Sequence, residues 1–78
     1  MMDYKKPLTK NQLERFAFML KHKRLERGLT ITKLANKLGY STASISFWEN
    51  KKTKPNLYKV EDVADFFGVP LNIMIGEE

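Results

Sequence analysis

Residues 24–55 read RLERGLTITKLANKLGYSTASISFWENKKTKP, and they carry the clearest structural signal in the chain. This stretch contains two short segments with helical apolar spacing, separated at Gly39. Thr30 and Ser41 stand where helix N-caps are expected, because a hydroxyl oxygen there accepts a hydrogen bond from the first turn. Gly39 suits the left-handed residue that ends a helix. The stretch therefore predicts two helices joined by a tight turn, the arrangement called a helix-turn-helix.

The sequence on either side predicts three further helices. Thr9 and Gln12 have the spacing of a capping box, so a long helix is expected to follow Thr9. The predicted limits are about Lys10 to Arg27 for this helix and about Thr42 to Glu49 for the second member of the helix-turn-helix. Asn56 is expected to cap the next helix, which runs to Gly68, and a short last helix has Pro70 in its first turn. No alternating strand pattern appears in the 78 residues. We therefore expect an all-α, five-helix domain over residues 9–76, preceded by a basic N-terminal arm at residues 1–8.

Length and composition exclude several classes of protein. A chain of 78 residues has enough apolar surface for one small core only. It has no cysteine and one histidine, His22, so thiolate metal sites, cysteine nucleophiles and most hydrolase constellations cannot be assembled. The longest apolar run, Phe16 to Leu20, is five residues against the roughly 20 of a spanning helix. We expect no enzyme activity, no cofactor, no metal, no small-molecule ligand and no membrane insertion, and a reducing, cytoplasmic location.

The charge of the chain is unevenly distributed. All fourteen lysines and arginines lie in residues 1–59, with four of the nine acids, whereas residues 60–78 hold five acids and no base. A basic body with an acidic end is suited to a polyanion bound on one side.

The same stretch resembles a known family. The chain is similar to the lambda repressor and Cro-like helix-turn-helix proteins, also called the XRE family. The similarity lies in the run from Arg24 to Gly39, its continuation from Ser41 to Lys51, Pro55, and the later segment Val63–Val69. The resemblance covers about residues 13–76. It implies a five-helix domain whose third helix enters the major groove of double-stranded DNA, a homodimer on a two-fold operator, and a bacterial or phage origin.

The resemblance also implies site residues. The base-reading positions fall on Thr42, Ala43, Ser46 and Phe47. Arg24 and Glu49 occupy the places of a structural ion pair. Phosphate contacts are expected from the caps, the basic loop and the outer face of the second helix: Lys33, Lys37, Ser41, Asn50, Lys51, Lys52, Thr53 and Lys54.

The sequence departs from the family pattern in three respects. Ile31 stands where a phosphate-bracing glutamine is common, and Lys51 stands where many relatives have glycine. The base-reading set contains none of the side chains that make bidentate contacts with guanine or adenine. It favours apolar contacts with thymine methyl groups, and therefore A·T-leaning sites. Phe47 has a second interpretation, in which it packs beside Ile31.

Two functions follow from these observations. The first is a sequence-specific DNA-binding transcriptional regulator of the repressor type, acting as a homodimer, with Phe66 and Ile73 as candidate self-association residues. The alternative is a protein-interaction module of the same fold, an antitoxin or an adaptor, in which Ile31 and Phe47 face a protein. Replacing Lys52 and Lys54 by alanine separates them, because only DNA binding should weaken uniformly across sequences.

Overall fold

The computed structural model describes residues 6–76, which form five α-helices and no strand. The helices are α1 (Lys10–Glu26), α2 (Ile31–Leu38), α3 (Thr42–Glu49), α4 (Leu57–Phe67) and α5 (Leu71–Ile75). The predicted all-α, five-helix fold is confirmed. Residues 1–5 of the expected basic arm and the last two acids, Glu77 and Glu78, lie outside the described residues.

Local capping chemistry explains where the helices begin. Thr9 accepts a hydrogen bond from the backbone of Gln12, and the side chain of Gln12 accepts one from the backbone of Thr9, so the predicted capping box is present. Thr30, Ser41 and Asn56 each accept a bond from the backbone three residues on. Each bond satisfies a first-turn donor that has no partner within its helix.

Two predicted boundaries are wrong by a single residue. The first is the end of α1, which lies at Glu26, with Arg27 as its C-cap. The second is at Pro70, which precedes α5 as its N-cap and does not lie in its first turn. Its φ of −59° and ψ of 145° give it an extended backbone, so the helix begins at Leu71. Proline is accommodated in either place because it has no N–H to satisfy.

The core lies around α1, which packs against α3, α4 and α5, while α2 packs against α3 and α4. The largest fully buried side chains come from all five helices: Phe16, Leu20, Leu34, Ile45, Val60, Val63, Met74 and Ile75. Leu8, just before α1, is also buried in this cluster. Since the cluster includes residues of every helix, the two short helices of the helix-turn-helix are held by long-range packing.

Within residues 6–76, none of the helices has both the length and the apolar character needed to cross a membrane.

Candidate nucleic-acid interface

A tight turn joins α2 to α3. Gly39 has a left-handed backbone with φ of 79°, and the backbone N–H of Tyr40 donates to the carbonyl of Ala35 at 3.0 Å. This pair of features closes the end of α2 and reverses the chain, because glycine adopts positive φ without a steric penalty. The predicted helix-turn-helix is present.

The inner face of α3 is fixed by aromatic packing. Trp48 and Ile45 are buried, and Trp48 meets the ring of Phe16 edge-on at 6.1 Å between centroids. Tyr40 contacts the other side of the cluster, with its ring 5.4 Å from that of Trp48. Edge-to-face pairs of this kind add to the stabilisation given by burial. They set the rotation of α3 about its axis, and so decide which side chains face outward.

The four predicted base-reading residues lie on α3 away from these anchors. Thr42, Ala43 and Phe47 are exposed, and Ser46 is half-buried. Phe47 is one of the large apolar side chains left in solvent, with 43% of its surface exposed. Ile31 instead packs, half-buried, against the core. The interpretation in which both residues are ordinary packing residues therefore fits Ile31 better than Phe47.

The predicted phosphate contacts divide into two groups. Five lysines and a threonine are exposed on α2 and on the loop after α3: Lys33, Lys37, Lys51, Lys52, Thr53 and Lys54. Ser41 and Asn50 already have partners, since Ser41 caps α3 and the side-chain amide of Asn50 donates to the carbonyl of Ser46 at 2.8 Å. Both residues thus define the ends of α3, a structural role that the sequence interpretation assigned only to Ser41.

The end of α3 uses a lysine where glycine is favoured. Lys51 is the one non-glycine residue of the described range with positive φ, 59°. Its N–H donates to the carbonyl of Trp48 at 3.2 Å, and that of Lys52 donates to Phe47 at 2.8 Å. These two bonds form the Schellman motif, whose left-handed position is usually glycine. The departure from the family pattern at Lys51 therefore falls on the position of the motif where a Cβ is sterically disfavoured.

Arg24 and Glu49 form the predicted ion pair. The Nε and Nη2 atoms of Arg24 donate to the two carboxylate oxygens of Glu49 at 2.7 and 3.0 Å, and Nη1 donates to the carbonyl of Leu29 at 2.8 Å. The hydrogen bond from Glu49 raises the pKa of Arg24, against the lowering effect of burial. One guanidinium thus joins α1, the turn before α2 and the end of α3.

Two long-range contacts were not predicted. The hydroxyl of Tyr40 donates to the carboxylate of Asp62, joining the helix-turn-helix to α4. The guanidinium of Arg27 lies 5.3 and 5.1 Å from the ring centroids of Phe66 and Phe67 and donates to their carbonyls at the end of α4. The position of Arg27 at the C-terminus of α4 is favourable, because the helix dipole stabilises a cation there. Neither the Tyr40 contact nor the Arg27 contact produces a periodic pattern in the sequence.

This fold and this outer face define a helix-turn-helix protein of the lambda repressor type. The family model HTH_3, described as helix-turn-helix, matches residues 20–74. The chain belongs to this family, the XRE-family helix-turn-helix proteins, which are DNA-binding transcriptional regulators and not a class of enzymes.

Solved structures show the same fold. An HTH_3 family transcriptional regulator from Vibrio cholerae aligns with a TM-score of 0.71 and 22% identity, over 82% of this chain and 36% of that one. The hypothetical transcription factor NHTF from Neisseria aligns with a TM-score of 0.76 and 21% identity, and the alignment covers 96% of this chain and 88% of that one. A transcriptional regulator from Listeria innocua aligns with a TM-score of 0.73 and 25% identity, and the alignment covers 81% of this chain and 59% of that one. The chain thus spans about a third of the Vibrio protein and less than two thirds of the Listeria one. A comparison with curated protein sequences gives no match.

Proposed function

We propose that this protein is a sequence-specific transcriptional regulator of the repressor type that binds double-stranded DNA with α3 in the major groove. Thr42, Ala43, Ser46 and Phe47 read the bases. The regulator acts in the cytoplasm as a homodimer on a two-fold operator, and needs neither a cofactor nor a catalytic step. Repression then follows from occupancy, because a bound dimer excludes other proteins from the same stretch of DNA.

The observation that carries this proposal is the charge around α3. Residues 27–60 hold seven lysines and arginines but a single acid, Glu49. Only 5% of the side-chain surface of Glu49 is exposed, and Arg24 is bound to its carboxylate. The exposed ionic groups of α2, of α3 and of the loop after α3 are thus all lysines, which favours a polyanion over an ordinary protein surface.

Phosphate contacts position the domain on the duplex. The exposed lysines lie on α2 and on the loop after α3, the elements directly before and after α3 in the chain, so they are suited to phosphates that border a groove occupied by α3. Such contacts give affinity without sequence preference, whereas α3 supplies the selectivity.

Self-association has a candidate residue in α5. Ile73 is an exposed apolar side chain, whereas Phe66 is half-buried beneath the guanidinium of Arg27. Of the two residues considered from the sequence, Ile73 is the better suited to a dimer contact. Sedimentation of Ile73→Glu beside the unchanged protein tests it, since a dimer held there becomes monomeric.

The alternative, a protein-interaction module such as an antitoxin or adaptor, is favoured by one observation, the exposed apolar side chain of Phe47. It differs from DNA binding in its response to charge removal. A protein partner at Phe47 tolerates the loss of two loop lysines, whereas a DNA complex does not.

The test is selection of bound duplexes from a randomised pool, followed by titration of the enriched duplex and an unrelated one. We expect a two-fold motif bound about a thousandfold more tightly than unrelated DNA. Lys52→Ala with Lys54→Ala should weaken binding to both duplexes by a similar factor. The matched control is Lys10→Ala with Lys21→Ala, which removes the same charge from exposed positions on α1. Equal effects of the two double variants, or no enriched motif, contradict the proposal.

A further inference from the structure

The exposed ring of Phe47 has no polar group with which to read a base. Its neighbour one turn earlier, Ala43, is also exposed and apolar, and Thr42, next to Ala43 in sequence, is exposed and carries a methyl group. Ile45 and Trp48 on the opposite face are buried. Because α3 is anchored through these two side chains, the ring cannot turn inward without displacing the core.

The ends of α3 limit its movement as well. The cap at Ser41 fixes its first turn, and the bonds from Lys51 and Lys52 fix its last. The carboxylate of Glu49 in its final turn is held by Arg24 at 2.7 Å. The apolar group formed by Thr42, Ala43 and Phe47, here called the apolar platform, is thus a preformed surface on a helix held at both ends.

The major groove offers one kind of apolar group to such a surface. The base edges carry hydrogen-bond donors and acceptors, except for the C5-methyl group of thymine. Placing the ring of Phe47 over a polar edge would remove water from that edge without replacing its hydrogen bonds, which costs free energy. Placing it over a methyl group buries apolar surface on both sides.

We propose that the apolar platform recognises the C5-methyl group of pyrimidines, with Phe47 as the residue that determines specificity. This inference rests on the proposed function and deepens it. The chemical group is shared by thymine and by 5-methylcytosine, so a duplex in which cytosine carries this methyl group binds more tightly than its unmethylated form at the same position.

The experiment removes single methyl groups from the selected duplex. Each thymine is replaced in turn by deoxyuridine, which keeps every hydrogen-bonding group and loses only the methyl. At one or two positions of each half-site we expect about fourfold weaker binding for each methyl removed, the value of one buried methyl group. A cytosine at the same position should weaken binding further, and 5-methylcytosine should recover about the same fourfold factor.

Variants assign the effect to the platform. Phe47→Ala should bind the thymine and deoxyuridine duplexes equally, whereas Phe47→Leu should keep part of the preference. Phe18→Ala is the matched control, because Phe18 is an exposed phenylalanine on α1, with 60% of its surface in solvent, and should leave the preference unchanged.

The outcomes separate this inference from the proposed function. Specific binding with no difference between thymine and deoxyuridine at any position overturns methyl recognition and leaves the regulator intact. A preference that persists in Phe47→Ala overturns the role of Phe47. Failure to select any duplex overturns both proposals.

Discussion

Arg24 has an inward position that is unusual for an arginine, and its partners account for it. Its guanidinium uses three donors on Glu49 and Leu29, and no polar side-chain atom buried in the described part of the chain lacks a partner. A buried ion pair contributes little relative to apolar residues of similar size, but removing one partner leaves the other unpaired.

We therefore predict that Arg24→Met lowers the free energy of unfolding by about 3 kcal/mol. Urea denaturation followed by circular dichroism measures it. The double variant Arg24→Met with Glu49→Leu should be more stable than the single variant, since no unpaired carboxylate remains. Equal losses in the single and double variants would show that the unpaired carboxylate of Glu49 is not what destabilises the single variant.

Lys51 is a second position where one residue decides a local property. A side chain at positive φ is strained by its Cβ, at a cost of about 1 kcal/mol, and glycine is free of that strain. Lys51→Gly should accordingly raise the free energy of unfolding by about 1 kcal/mol.

Lys51→Ala is the control for this prediction, because it removes the same charge but keeps the Cβ. Its denaturation midpoint should stay close to that of the unchanged protein, while both variants lose the same proposed phosphate contact. A midpoint that rises equally in both variants would attribute the effect to charge.

At the scale of elements, capping residues made the helices predictable from sequence. Thr9, Thr30, Ser41 and Asn56 satisfy backbone groups within three residues of themselves, so the signal and the structure are equally local. The outer face of α3 was predictable from an equally local pattern, because Ile45 and Trp48 are three residues apart and mark the inner face of the helix.

Contacts between distant elements were not predictable in this way. The Tyr40–Asp62 bond spans 22 positions and the contacts of Arg27 with the end of α4 span 39 and 40. They depend on how the helices pack, and polar residues at exposed helical positions give no indication of their partners. The Arg24–Glu49 pair, also long-range, was found only through the family resemblance.

The Tyr40–Asp62 bond gives the junction between the helix-turn-helix and α4 a dependence on pH. Burial, and then the hydrogen bond to Asp62, raise the pKa of Tyr40 to about 12, from about 10 in an unfolded chain. Because the folded state holds this proton more tightly, the stabilisation is complete below pH 10 and is lost as the pH rises towards 12.

We predict that the free energy of unfolding falls more steeply between pH 10 and pH 12 in the unchanged protein than in Tyr40→Phe. Urea denaturation of both proteins across this range measures the difference, and lysine ionisation affects the two alike. Parallel pH profiles would mean that Tyr40 titrates equally in both states.

At the scale of the whole molecule, the distribution of charge determines the dependence of binding on salt. If each half-site of the proposed complex neutralises about three to five phosphates, the logarithm of the association constant should fall with the logarithm of salt concentration with a slope of about −5 to −9 for a dimer.

Titrations of the selected duplex from 50 to 200 mM salt, roughly the range over which such slopes are measured, provide the value. Lys52→Ala with Lys54→Ala should make the slope less steep by about two units per protomer, because each lysine releases about one counterion. An unchanged slope would remove the loop after α3 from the interface.

The ion pair between Arg24 and Glu49 also conceals a negative charge. Glu49 is the single acid among residues 27–60, and its carboxylate is bound to a guanidinium beside the surface proposed to meet phosphate. Without Arg24 that carboxylate would repel the DNA backbone. Arg24→Met should therefore bind DNA less tightly than the double variant Arg24→Met with Glu49→Leu. The comparison is made at low temperature, where both variants are expected to be folded. Added salt should reduce the difference in affinity, because it screens the repulsion. Arg24 on this account neutralises the one acid of α2, α3 and the loop after α3.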